Sequence, residues 1–181
     1  MSKRWPEWAK NAGADRRSVT AMHATHVSGI TIRPLRNGDA ATVVALFDRL
    51  GEGARASRFC GAKPRLTDAE LDLLSRVDGN RHVLVAYVGG DARPAGIARL
   101  VRDGRSAEIA LSVADELRGR GLGTVLLEAL AADARAAGIT SFVATVCGDN
   151  PSMLAILRRL SASLDIRWQR GEREIVVPLG A

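Results

Sequence analysis

A mixed α/β fold, with a mostly antiparallel central sheet of about seven strands flanked by about four helices, is the class this sequence predicts. Three observations carry that prediction. Ala107, Ile109, Leu111 and Val113 alternate with Glu108, Ala110 and Ser112, the two-residue period of a half-buried strand. Val125, Leu126, Leu130 and Ala134 then recur at helical spacing, and Gly138 stands where a helix C-cap belongs. Between these runs lies Leu117-Arg118-Gly119-Arg120-Gly121-Leu122-Gly123-Thr124, a glycine-rich turn that feeds a helix start.

The remaining elements follow in chain order. Gly29 to Pro34 reads as a first strand, with Ile30 and Ile32 on one face. Asn37 or Asp39 can cap a helix carrying Val43, Val44, Leu46, Phe47 and Leu50. Gly51 to Arg65 has no clean period and reads as a loop with a short helical turn. Thr67 and Glu70 form a capping box for a second helix over Leu71, Leu73, Leu74 and Val77. His82 to Val88, Pro94 to Arg102 and Ser106 to Val113 are strands joined by turns at Gly89-Gly90-Asp91 and Asp103-Gly104. Beyond the glycine-rich turn and its helix, Ser141 to Cys147 is a buried strand, and Asn150-Pro151 opens another helix with an N-cap and a proline in its first turn. Arg167 to Arg170 and Glu172 to Leu179 close the chain as a hairpin around Gly171. The expected organisation is an N-terminal arm over 1–28 and one domain over 29–181.

Composition narrows the function classes. A chain of 181 residues with 46% hydrophobic and 25% charged side chains suits one soluble domain. The sequence has no apolar run of membrane-spanning length, so no membrane partner is expected. The first thirty residues contain Trp5, Trp8 and five basic residues without an apolar core, unlike a secretory signal. The net charge of +6 and isoelectric point near 10.3 invite a nucleic-acid reading. Scattered arginines and 4% aromatics weigh against it. Cys60 and Cys147 are the only cysteines, far apart and without metal-site spacing. They read as packed or half-exposed thiols in a reducing compartment, with the cytoplasm as expected location and no metal.

The glycine-rich turn carries chemistry. A turn of this kind presents unpaired N–H groups at the positive end of a helix dipole, and glycines admit a bulky anion close to the backbone. Two phosphates would fit. A dinucleotide fold would want Gly-x-Gly-x-x-Gly, yet Thr124 follows Gly123, and a P-loop would want Gly-Lys-Ser or Gly-Lys-Thr, which does not occur. A plain strand-to-helix connection without ligand is the remaining alternative.

The spacing Arg118-x-x-Gly121-x-Gly123 resembles the coenzyme A-binding signature of the GNAT acetyltransferase superfamily, and the element order over 29–179 is similar to the GNAT fold. Four further segments look like the catalytic domain of bacterial protein lysine acetyltransferases: Ser57 to Asp68, Gly96 to Arg99, Ala107 to Ala110 and Phe142 to Val146. The resemblance implies direct transfer of an acetyl group from acetyl-CoA to an amine, a protein lysine foremost and a small amine as competitor, by a monomer or a homodimer. A non-catalytic acyl-CoA-binding regulatory module is the alternative class. Backbone groups of Leu111, Ser112 and Val113 would then face the pantetheine arm. Arg118, Gly119, Gly121, Leu122, Gly123 and Thr124 would surround the pyrophosphate, and Arg120 would meet the 3′-phosphate or be solvated. Asn150 matches an asparagine near the pantetheine, or is simply an N-cap. Residues 1–28 are too few for the regulatory module often fused to such domains, so that regulation is not carried over.

Glu108 matches the catalytic glutamate of that subfamily. An acceptor amine must be neutral to attack a thioester, and deprotonating a free lysine of pKa near 10.4 costs roughly 4 to 5 kcal/mol at pH 7, so a base is useful. The plainer reading counts the Asp103-Gly104 turn outward, pairs Arg99 with Glu108 across the hairpin, and makes an ion pair that favours the carboxylate. The resemblance fails at one point. Many relatives carry a tyrosine in the helix after Asn150 that protonates the leaving thiolate, whereas Met153 to Leu160 has none and Tyr87 lies in an earlier strand. Arg55, Arg58, Lys63 and Arg65 form a basic stretch that would border the acceptor site, and His82 reads as structural.

Overall fold

The computed structural model describes residues 25–27, 29–169 and 172–180. Most of the expected arm, including His23, and the turn at Gly171 lie outside the described residues. One eight-stranded sheet organises the chain, in the order β1-β2-β3-β4-β5-β6-β8-β7. Its strands are β1 (Thr25–Val27), β2 (Ile30–Pro34), β3 (Arg81–Val88), β4 (Gly96–Asp103), β5 (Ser106–Val113), β6 (Ser141–Cys147), β7 (Asp165–Gln169) and β8 (Glu172–Pro178). The helices are α1 (Ala40–Phe47), α2 (Glu52–Phe59), α3 (Asp68–Ser75), α4 (Leu122–Ala136) and α5 (Pro151–Leu160). Only β5 and β6 pair in parallel; every other neighbour is antiparallel.

The sheet is covered on both faces. His82 to Ala86 of β3 are buried without a break, as a central strand between two layers requires. Leu84 and Ala86 join the larger core with Leu126, Leu127 and Leu130 of α4, while Val83 and Val85 pack with Val43 of α1 and Leu71 and Leu74 of α3. Close approach of α4 is permitted by Gly96 in β4. A Cβ there would lie 2.8 Å from Leu126 Cδ1 and 3.1 Å from the Ser112 carbonyl oxygen.

Local signals explain the helix starts. Asp39 accepts from the Thr42 N–H at 3.0 Å, Thr67 and Glu70 form the full capping box, and Asn150 accepts from the Met153 N–H at 3.0 Å. Three expectations need correction. The sheet has one strand more than the about seven expected, because three residues assigned to the arm pair with β2 as β1. The segment after Gly51 is a two-turn helix, α2, instead of a loop, so five helices are present. Ala54 is its only buried residue, which leaves no apolar stripe to read. The β4–β5 turn is Gly104-Arg105, since Asp103 pairs with Ser106. Gly104, at φ 58°, takes the first central position, where a type II′ turn favours glycine.

Candidate active site

Splaying of two strands creates the site. β5 and β6 pair in parallel only from Ser106↔Ser141 to Ile109↔Ala144, yet β5 continues to Val113 and β6 to Cys147. On its other edge β5 stays bonded to β4 through Gly96↔Val113. Leu111, Ser112 and Val113 therefore present backbone groups to the gap opposite Thr145 and Val146, and all five line one cavity of about 780 Å³. That volume suits a drug-sized or cofactor-sized ligand.

The glycine-rich turn closes one end of the cavity. A 3-10 turn over Asp115–Leu117 leads into Gly119 at φ 72° and Gly121 at φ 80°, left-handed positions that glycine adopts at no steric cost. Gly121 is the N-cap of α4 and offers no side-chain acceptor. The amides of Leu122, Gly123 and Thr124 begin the helix before any carbonyl of that helix can reach them, so they remain as donors at its positive end. All three residues line the cavity. Gly123 also has a packing role. A Cβ there would stand 3.0 Å from Ile156 Cδ1 and 3.3 Å from Leu111 Cδ2, so its absence lets α4 lie against α5 and β5.

Each of the expected ligand-facing residues except Arg120 lines this cavity. Arg120 is exposed and outside the lining. Arg118 lines it while pairing with Asp115 at 3.3 Å. Asn150 lines it and is at the same time the N-cap of α5.

Glu108 projects from β5 on the face that carries α1 and α3, opposite Val101 and one diagonal step from Arg99. The expected ion pair is corrected here. Arg99 lies opposite Ala110, is buried, and donates to the Leu73 carbonyl at 2.6 Å. Burial pushes the Glu108 carboxyl up to about 7, against the opposing pull of the Arg58 and Arg99 guanidinium groups. The depressed carboxyl expected from a cross-strand pair is thus not found; desolvation outweighs two cations that stop short of contact. Burial likewise lowers Arg99 to about 10, helped by the Arg58 charge, and it remains protonated at neutral pH.

The far end of the cavity is lined by α2 and the segment after it. Arg58 and Lys63 of the basic stretch reach it, and Lys63 is paired with Glu70. Arg55 does not line it; it donates to the Phe47 and Pro64 carbonyls and lies 4.1 Å over the Phe47 ring. Arg65 is also outside the lining. Cys60 and Cys147 are corrected most sharply: among the described residues neither is a free thiol, and they are joined as a disulfide with their Cα atoms 5.4 Å apart. They therefore give no argument for a reducing compartment. With the Glu172 carboxylate they form the one group of three close ligating atoms among the described residues. Sequence separation of 87 hid this bond; only the β6–β8 register, which sets Cys147 opposite Glu172, and the turn of chain at Cys60 bring the three together. Tyr87 is outside the cavity lining and stacks under Arg33 at 4.3 Å. His82 is structural, its Nε2 lying 2.8 Å from Asp133 Oδ2.

Comparison with known proteins shows the family and the fold. The model of the acetyltransferase (GNAT) family matches residues 48–161, more than half of the chain, and the protein belongs to that family. It is 36% identical over 150 residues to the acetyltransferase Pat of Mycolicibacterium smegmatis, a match covering 81% of this chain and 44% of Pat. The chain thus spans less than half the length of that relative. The solved GNAT domain of S. lividans PAT is similar with a TM-score of 0.74 and 27% identity over 83% of this chain and 90% of that one. The fold is also shared with yncA from Salmonella typhimurium, whose structure is described with its cofactor acetyl-CoA, at a TM-score of 0.59 and 20% identity over 84% and 94% of the two chains. In none of the described residues is there a helix long and apolar enough to cross a membrane.

Proposed function

We propose that the protein transfers an acetyl group from acetyl-CoA directly to an amine, with a protein lysine as preferred acceptor and residues 29–181 supplying the transferase unit. One observation carries this reading: Glu108, with its carboxyl near 7, lines the same cavity as the splayed strands and the uncapped start of α4. The open backbone of Leu111 to Val113 suits an amide-bearing arm, and the free amides after Gly121 suit a pyrophosphate. Similarity to the acetyltransferase Pat supports acetyl transfer, and the choice of lysine rests on the resemblance of Ser57 to Asp68 and Ala107 to Ala110 to the protein lysine acetyltransferases.

Glu108 takes the proton of the incoming ammonium, directly or through water, and the freed lone pair attacks the thioester carbonyl. A carboxyl near 7 instead of its ordinary 4.5 makes that proton transfer easier by about 3 kcal/mol. The carbon–sulfur bond then breaks, the thiolate leaves, and the nitrogen gives up its second proton to water. Helix α5 offers no tyrosine to protonate it, and a thiol pKa near 8.5 makes protonation by water sufficient.

A non-catalytic binding module is the second reading, favoured by that missing acid. Free thiol released from acetyl-CoA only when acceptor is present supports the enzyme. Saturable acetyl-CoA binding without thiol release on deacetylated cytosolic proteins or an amine panel rejects it.

A further inference from the structure

The only two cysteines of the chain meet beside this cavity. Cys60 is the C-cap of α2 and lines the cavity; Cys147 is the last residue of β6, on the arm of the splay that leads to Asn150. Both are half-buried, and neither is sealed in the core. Cys60 is also the one non-glycine residue at positive φ among the described residues, at 55°. Glycine would serve that C-cap without strain, so what the cysteine adds at this position is its side chain. Apart from the bond, α2 is held by Ala54 in the core, by Arg55 bonded to Phe47 and Pro64, and by the contact of Phe59 with Phe47 at 5.9 Å. These tie the body of α2 to its own neighbourhood in the chain, while its N-cap Gly51 donates to Asp115 Oδ2 at 3.1 Å and the helix packs on β5 and β6. The disulfide is the covalent tie from its C-terminal end to β6, and Arg58, two residues before Cys60, carries the guanidinium that acts on Glu108.

We propose that the Cys60–Cys147 pair is a reversible thiol–disulfide site that fixes the acceptor end of the cavity. The bond holds the end of α2 and its Arg58 against β6. A dithiol reductant opens it: the sulfur–sulfur bond breaks, two electrons and two protons pass to the cysteines, and the dithiol becomes a disulfide. The end of α2 is then released from β6 while the glycine-rich turn, on the far side of the splay, keeps its place. Calling this end of the cavity the acceptor end rests on the function proposed above.

The test uses the full chain, oxidised, reduced with a dithiol, and as the Cys60→Ser/Cys147→Ser double variant. Mass-detected alkylation in denaturant should find no thiols before reduction and two after it. Amide exchange over 52–65 and 145–150 should rise by at least about tenfold on reduction while 117–125 is unchanged. The acceptor KM should rise about threefold or more at constant acetyl-CoA Kd, reoxidation should reverse it, and the double variant should be fixed at the reduced values. If the wild-type chain holds two thiols that an oxidised dithiol cannot join, or if exchange in α2 ignores reduction, the proposal fails. Redox-dependent exchange without turnover on any acceptor supports the site and rejects the transferase reading, so the two failures are separate.

Discussion

Glu108 combines two properties that oppose each other energetically. Its carboxylate is useful as a base because burial raises it to about 7, and the same burial penalises the charged form in the folded protein. The folded pKa lies above the ordinary value of 4.5, so this residue's contribution to stability is fully favourable below about 4.5 and is lost as pH rises through about 7. Glu108→Gln should therefore raise folding stability at pH 8 by up to about 3 kcal/mol relative to its effect at pH 4, read from urea unfolding at both pH values. Activity should move the other way. We expect kcat to fall by about 10² to 10⁴ in this variant with acetyl-CoA Kd unchanged. The acidic limb of kcat/KM in the wild type, which reports the free enzyme's base, should bend near pH 7 and vanish in the variant. A limb near pH 4.5 would show that Arg58 and Arg99 dominate the site after all.

At the scale of elements, α5 and α4 start in different ways. Asn150 caps α5 with a bond to Met153, and Gly121 leaves α4 open. Asn150→Ala should cost about 1 kcal/mol, and Asn150→Ser, which keeps a capping oxygen, should recover most of it in thermal unfolding. An acetyl-CoA Kd that weakens equally in both variants would show a ligand contact beyond the cap. These starts were legible in the sequence because caps and glycine turns act over three or four residues. The alternation of β5 and the helical period of α4 were legible for the same local reason. What escaped reading depended on pairing and packing with other segments. β1 is three residues long and exists only against β2. Helix α2 has a single buried residue and is held by Arg55 and the aromatic pair of Phe47 and Phe59. The register of β4 on β5 turned on which of three adjacent residues formed the bend: moving the bend by one residue shifts the pairing by two, which exchanges Arg99 for Val101 opposite Glu108 on the same face. The candidate site itself was legible as a motif; its electrostatics were not, because the rise at Glu108 comes from burial, which exists only in the packed fold.

Across the whole molecule, one covalent bond joins the helical layer to the sheet. Closing a loop with a sequence separation of 87 restricts the unfolded chain and, in the chain-entropy account, is worth about 4 to 5 kcal/mol. Reduction should lower the urea midpoint accordingly, and an unchanged midpoint would place the two sulfurs apart in solution. The central account joins the splayed β5 and β6, the open start of α4 and Glu108 into one transfer site. Its most direct measurement is acetyl-CoA turnover by the purified protein against deacetylated cytosolic proteins and an amine panel, with Glu108→Gln in parallel. The account predicts acceptor-dependent release of free thiol that collapses in the variant while acetyl-CoA binding persists. Saturable binding with no thiol release from the wild type on any acceptor, or turnover that survives Glu108→Gln, would contradict it.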